Sequence, residues 1–295
     1  MDPILVTGAA GGTQGSTGRT VAELLLRRGY DVRAFVHTDD DRADRLRGLG
    51  AEVVVGDLRE ISSVLPAFDG VRRVFFTYPV TDGLLDATGA VAVAARECGV
   101  ERLVNVSQLA AGPDAPTPHM RQHWLSEQVF DWAGVGAVHL RAAVFFENLA
   151  VVLAAGGGRE LALPLGSPET VVPLVAAADV AGVAAGILAD PALDVDPVCL
   201  LTGEILSVGE IVRAFGAAAG ADVRYTDASP ADWERRAIAI YRDPHVVEHL
   251  SKLWEIFRLI GSGHDLYQVT DAIERIGGHP PRTLRAFPGV PAAPG

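Results

Sequence analysis

Lysine is nearly missing from this chain. Lys252 is the only one in 295 residues, and arginine supplies the remaining positive charge. Acidic residues outnumber basic ones 37 to 25, a net charge of −12, and no basic run or stripe offsets it. That excludes nucleic acid as a partner. Cysteine is almost as scarce: Cys98 and Cys199 stand far apart without metal-ligand spacing, so neither a disulfide framework nor a metal site is indicated, and a reducing cytoplasm fits. Long apolar runs are lacking too. The stretch Ala142–Ala155 is broken by Glu147 and Asn148, so nothing is expected to span a membrane, and the first strand begins within four residues of Met1, which predicts no signal peptide.

What is present is 49% apolar and 21% charged, enough for a folded chain of one large or two small domains. The organising stretch is residues 4–37. Ile4, Leu5 and Val6 form a buried strand ending in Thr7-Gly8; a glycine-laden turn follows, then Val21, Leu24 and Leu25 at helical spacing, closed by Gly29. Val32–Val36 completes a β-α-β unit. Gly8 permits the sharp turn, Gly11 the approach of a pyrophosphate, and Gly18 close packing of helix on sheet. A dinucleotide fingerprint places the third glycine three residues after the second, but Gly18 comes seven after Gly11, an insertion of four. Gly12, Thr13, Gln14, Gly15, Ser16 and Thr17 then enlarge the cradle, with helix-start amides facing the phosphates.

Strand and helix alternate onward. Strands are expected at Glu52–Val55, Val71–Thr77, Leu103–Ser107 and Val138–Phe146, and helices at Asp39–Leu49, Ile61–Phe68, Asp82–Cys98 and Pro118–Ala133, the last capped by Thr117. Beyond Gly156 the pattern changes to short strands and turns, a helix at Asp179–Leu188, and helices near 207–219, 230–260 and 265–276 around a strand at Val223–Tyr225. The fold class is α/β: a doubly wound parallel sheet over residues 1–150, rejoined by 171–203, with a smaller mixed α/β substrate lobe from 151–170 and 204–295. Asp57 and Leu58, at the third strand's end, lie near an adenine, or Asp57 caps the next helix.

The series V-T-G-A-A-G-G, V-R-A-F-V-H, V-V-V-G-D-L, V-F-F-T-Y-P-V, L-V-N-V-S, R-Q-H-W-L-S-E and H-L-R-A-A-V-F-F-E-N-L resembles the NmrA-like family of atypical short-chain dehydrogenases. The likeness extends to Phe287. That family includes azoreductase-like and quinone-reductase-like enzymes, isoflavone-reductase relatives and redox sensors without catalysis. The resemblance implies a cofactor site at the ends of the strands, with Thr77, Tyr78, Pro79 and Ser107 beside it. In the family an arginine that grips the NADP 2′-phosphate commonly ends the second strand; here His37 stands there, with Arg33 and Arg42 nearby and Asp39, Asp40 and Asp41 following. NADP is favoured, with NAD the alternative, because a charge run in a loop is more often solvated than turned inward.

Short-chain dehydrogenases usually carry Tyr-x-x-x-Lys on the helix after the fifth strand. This chain has no tyrosine in that helix and its one lysine lies elsewhere. Counting back from Glu127, the resemblance puts His119 at the tyrosine position and His123 at the lysine position. An imidazole can exchange a proton near neutral pH, and the helix start favours its neutral form. His119, His123, Ser126 and Glu127 share one face, and Leu125, Val129 and Trp132 form an apolar stripe on another. The alternative is that these histidines are partly exposed polar residues and Glu127 is a structural hydrogen-bond partner. Ser107 binds a substrate oxygen or caps its loop, Tyr78 is a reserve proton donor, and Gln108, Phe145, Phe146 and Asn148 are candidate substrate contacts, although paired phenylalanines are more often core.

The expected activity is an NAD(P)H-dependent reductase passing hydride to a small apolar, aromatic or conjugated acceptor such as a quinone, enone or ketone. Two other readings stay open: a non-catalytic NADP(H) sensor with a regulatory protein partner, and a cofactor-retaining isomerase or cyclase. A homo-oligomer is compatible with each.

Overall fold

A computed structural model describes residues 2–12 and 16–288. Thr13, Gln14 and Gly15, which the sequence places in the phosphate cradle, lie outside the described residues. The elements in order are β1 (Ile4–Val6), α1 (Thr17–Arg27), β2 (Val32–Val36), α2 (Asp41–Gly48), β3 (Glu52–Val55), α3 (Ile61–Ala67), β4 (Arg73–Phe76), α4 (Leu84–Glu97), β5 (Arg102–Gln108), α5 (Pro118–Ala133) and β6 (Ala137–Ala142). Then come β7 (Val144–Phe145), α6 (Phe146–Ala155), β8 (Glu160–Leu163), β9 (Val171–Val175), α7 (Ala177–Ala189), β10 (Val198–Leu201), β11 (Glu204–Ser207), α8 (Val208–Ala219), β12 (Arg224–Asp227), α9 (Pro230–Tyr241), α10 (Pro244–Leu259) and α11 (Ala272–Gly277).

Seven strands form one parallel sheet in the order β10-β6-β5-β4-β1-β2-β3. The order reverses between β1 and β4, and in such sheets ligands bind at the carboxyl ends beside that reversal. Alternation along β1 explains the layering. Ile4 and Val6 pack with α1 and α7 on one face, while Leu5 packs with α3, α4 and α5 on the other. On α1 the buried residues are Gly18, Val21, Ala22 and Leu25, one helical stripe against the sheet. A second core, built on Phe146, Phe215, Trp233 and Trp254, joins α6, α8, α9 and α10. Among the described residues no helix is long and apolar enough to cross a membrane.

Three expectations are corrected. The sixth strand does not continue to Phe146: β6 stops at Ala142, β7 crosses to a three-stranded sheet with β9 and β11, and Phe146 opens a helix. A short apolar run does not distinguish strand from buried helix by periodicity. The helix over 230–260 is two helices. Arg242 takes a left-handed conformation (φ 55°), Asp243 caps α10 by accepting from the His245 amide, and Pro244 occupies the first helical position. The helix expected at 265–276 shrinks to Ala272–Gly277.

On α10, Lys252 points outward beside Glu255, 3.1 Å away, while Val246, Leu250 and Trp254 point inward. The segment after α11 is bolted to α7 by Asp179, which is fully buried and accepts from both the amide and the guanidinium of Arg282. Asp179→Ala leaves that amide without its partner, and the expected cost is about 1–3 kcal/mol. The check is a urea unfolding curve, in which the midpoint should fall with the slope preserved.

Candidate functional site

The carboxyl ends of the first six strands open into one cavity of about 670 Å³, within the range of small-molecule sites. Its floor begins at the glycine turn. Gly18 lies so close to β1 that a Cβ would stand 2.5 Å from the Thr7 carbonyl oxygen, and Gly8 has a left-handed φ of 62°. No side chain fits at Gly18 without moving α1 off the sheet. Thr7 locks β1 to β4: its hydroxyl donates to the Thr77 carbonyl (3.1 Å) and accepts from the Thr77 amide (2.9 Å). Gly8, Gly11, Gly12, Thr17 and Gly18 line the cavity; Ser16 does not.

His37, Arg42, Asp57, Leu58 and Arg59 line the cavity where β2 and β3 end. Arg42 donates to the Gly11 carbonyl (2.9 Å) and to Asp40, whose carboxyl it holds down at about 2. Asp39 pairs with Arg47. Arg59, a residue the sequence reading missed, chelates Asp57 and holds it at about 2. Arg33 is not a phosphate ligand here, because its guanidinium is spent on Glu52 and the carbonyls of Ala67 and Asp69.

Thr77, Tyr78, Pro79, Ser107, Gln108, Phe145 and Asn148 line the middle of the cavity. Tyr78 donates to the Asp82 carbonyl (3.1 Å), and burial raises its phenol. Phe146 is turned away: it is fully buried in the second core against Phe287. Ser107 donates to Glu127 (2.6 Å), a buried carboxylate that also takes two bonds from Arg141 (2.9 and 2.6 Å). The hydroxyl proton of Ser107 is therefore committed, and the group offers lone pairs to the cavity, suited to a ligand that donates rather than to a bare carbonyl.

α5 turns His119, His123, Ser126 and Glu127 inward, while Trp132 is 74% exposed. His119 does not reach the cavity. Its ring is fully buried behind His123, at a centroid distance of 4.7 Å, and among His245 (5.4 Å) and His249 (5.3 Å) of α10. His123 and His249 line the cavity. His249 lies 3.0 Å from Thr117 Oγ1 and 3.3 Å from Gln108 Nε2. Burial holds His119 down at about 4, with neighbouring His245 adding to it, and holds His249 at about 3; His123 is likewise kept well below its ordinary value. Among the described residues no group of three or more His, Cys, Asp or Glu is arranged to hold a metal ion.

α10 closes the cavity with Val246, His249, Leu250, Leu253 and Phe257. Sequence reasoning left these residues out, although their three- and four-residue spacing was the available signal.

A doubly wound sheet with a glycine cradle at its reversal point defines the dinucleotide-binding class of folds. Within that class the chain belongs to the NmrA-like family, whose pattern matches residues 2–275. It is 28% identical to an NAD(P)H azoreductase of Xenophilus azovorans over 96% of both chains. Two solved structures share the fold. One is an NADPH-dependent quinone oxidoreductase of Escherichia coli complexed with NADPH (TM-score 0.75, 20% identity, 96% of this chain and 97% of that one). The other is the negative transcriptional regulator NmrA in complex with NADP (TM-score 0.76, 17% identity, 97% and 94%).

Neutral, buried imidazoles make stability depend on pH. Their folded values lie below the ordinary 6.5, so unfolding takes up protons between the two values. Stability is therefore greatest above 6.5 and falls as the pH drops, by up to about 1.4 kcal/mol per pH unit for each such group. Urea midpoints measured from about pH 7 to about pH 5 should decline, and His119→Asn should flatten the decline.

Proposed function

We propose that the chain is an NAD(P)H-dependent reductase acting on a small, apolar, aromatic or conjugated acceptor such as an azo compound, quinone or enone. The observation that carries this reading is the continuity of the glycine cradle with the apolar chamber under α10 in one cavity. The activity of the azoreductase relative supports it.

The residues fit a dinucleotide. Gly8 and Gly18 leave backbone where side chains would stand, Gly11 has a left-handed φ of 69°, and the amino end of α1 offers its amides to a pyrophosphate. His37, Arg42 and Arg59 meet the adenosine end. Arg42 and Arg59 are already neutralised by Asp40 and Asp57, which tempers their pull on a 2′-phosphate. Ser107 suits a hydroxyl or carboxamide donor of the cofactor. When bound, a reduced nicotinamide supplies the hydride. Phe145, Leu250, Leu253 and Phe257 exclude water and present apolar surface to an aromatic acceptor, while Gln108 and Asn148 offer polar contacts.

The sensor reading is favoured by one observation: α5 carries neither tyrosine nor lysine. A titration of the purified protein with NADPH and NADH, followed by an azo dye or a quinone, separates the two. Loss of the reduced-nicotinamide absorbance on adding the acceptor is expected; tight binding with no loss across both acceptor classes would favour the sensor. His37→Arg should raise the preference for NADPH over NADH by about tenfold, the worth of one charge-assisted hydrogen bond. An unchanged ratio of dissociation constants would place the 2′-phosphate elsewhere.

A further inference from the structure

Four of the eight histidines of the chain gather in one cluster, two from α5 and two from α10. They differ in access. His245, at the start of α10, is half-buried, His119 is fully enclosed, and His123 lines the cavity. His245 Nε2 stands 3.3 Å from His119 Nδ1. The other nitrogen of His119, Nε2, is buried without a partner, and so is Nδ1 of the neighbouring His123. Two enclosed imidazole nitrogens on adjacent rings lack hydrogen bonds, which buried polar atoms rarely do without a reason.

We infer that His245, His119 and His123 form a proton relay that carries a proton from solvent to the acceptor in the cavity. The relay rests on the reductase reading. A hydride from the reduced nicotinamide brings both electrons to an azo nitrogen or a carbonyl carbon, and one proton must reach the partner nitrogen or oxygen. On delivery the N–H bond of His123 breaks and an N–H or O–H bond forms on the acceptor. His119 and His123 pack edge to face at 4.7 Å without a hydrogen bond between Nε2 and Nδ1, so the rings turn to bring these two nitrogens together before His123 regains a proton at Nδ1 from His119 Nε2. His119 regains one at Nδ1 from His245, and His245 takes one from water. Each imidazole accepts at one nitrogen and releases from the other, so the rings exchange tautomers and no electron moves along the chain.

The polar groups facing the cluster suit this. Gln122 Oε1 lies 3.3 Å from the same His119 Nδ1 that faces His245, so that nitrogen can hold a proton towards Gln122 or receive one from His245. His249 is the fixed member: Thr117 and Gln108 occupy its two nitrogens. On α10, Asp243 holds the start of the helix, with one oxygen on the His245 amide (2.8 Å) and the other accepting from Thr81 (2.7 Å), which seats His245 against His119. His123 is the terminal donor, and His119 and His245 are positioning residues that act through it.

The test uses the whole protein. His245→Gln keeps a side chain that can hydrogen-bond to His119 but cannot pass a proton. With saturating NADPH and an azo dye, turnover should fall at least about tenfold, with NADPH affinity by fluorescence titration unchanged. In His245→Ala, added imidazole should restore turnover. A readout independent of turnover comes from the ring 15N resonances of the protein without cofactor. His119 should show averaged shifts from exchanging tautomers in the wild type and a single tautomer in His245→Gln. Full azo-dye turnover in His245→Gln overturns the relay and leaves the reductase reading standing. If the wild type binds NADPH but reduces no acceptor, the reductase reading fails, and the nitrogen resonances alone decide whether the chain of imidazoles exchanges. A single fixed tautomer of His119 in the wild type overturns the relay whatever the turnover.

Discussion

The carboxylate of Glu127 fixes how the working end of the molecule is assembled. It is only 1% exposed, and a buried charge of that kind is tolerated only when its oxygens are fully used. Ser107 of β5 and the forked guanidinium of Arg141 of β6 use them. Because the donors come from two neighbouring strands and the acceptor from a helix, α5 has one rotational setting over the sheet. That setting buries the histidine face and turns Leu125 and Trp132 to solvent. The same bonds consume the proton of Ser107 and so decide what the serine offers to a ligand.

A second set of polar contacts seats the cover. α10 meets the sheet edge through His249 with Gln108 and Thr117, meets α5 through His245 with His119, and meets the loop after β4 through Asp243 with Thr81. Apolar residues on the same helix form the chamber wall. The chamber wall and two of the four clustered histidines therefore lie on one element, and a shift of that element alters both together. The two tryptophans Trp233 and Trp254, packed edge to face at 6.1 Å, tie the cover to α9 and limit such shifts.

Much of the sheet was legible in the sequence because its signals are local. Ile4–Val6 followed by glycines, the stripe of Val21 and Leu25, and the cap at Thr117 each depend on a few neighbouring residues, and the helix Pro118–Ala133 has those bounds in the structure. The failures share a cause. Residues 142–155 and 230–260 are apolar or amphipathic throughout, and what divides them is tertiary: β7 pairs with β9, some thirty residues on, and Arg242 turns left-handed so that α10 can fold back over the cavity. The inward face of α5 was visible in its spacing, but its depth was not. Whether His119 lined the cavity or lay behind another ring depended on α10, which is more than a hundred residues away. Arg33 and Arg59 show the same limit, since the sequence gives their charge and only the fold gives their partners.

The scarcity of lysine has a consequence on the surface of α10. Lys252 is the only side-chain amine in the protein, it is 53% exposed, and it sits on the outer side of the helix whose inner side closes the cavity. An amine-selective dye would therefore modify no other side chain. The protein carries one side-chain labelling point on the outer face of the cover of its own site, where a fluorophore can be attached without an engineered cysteine.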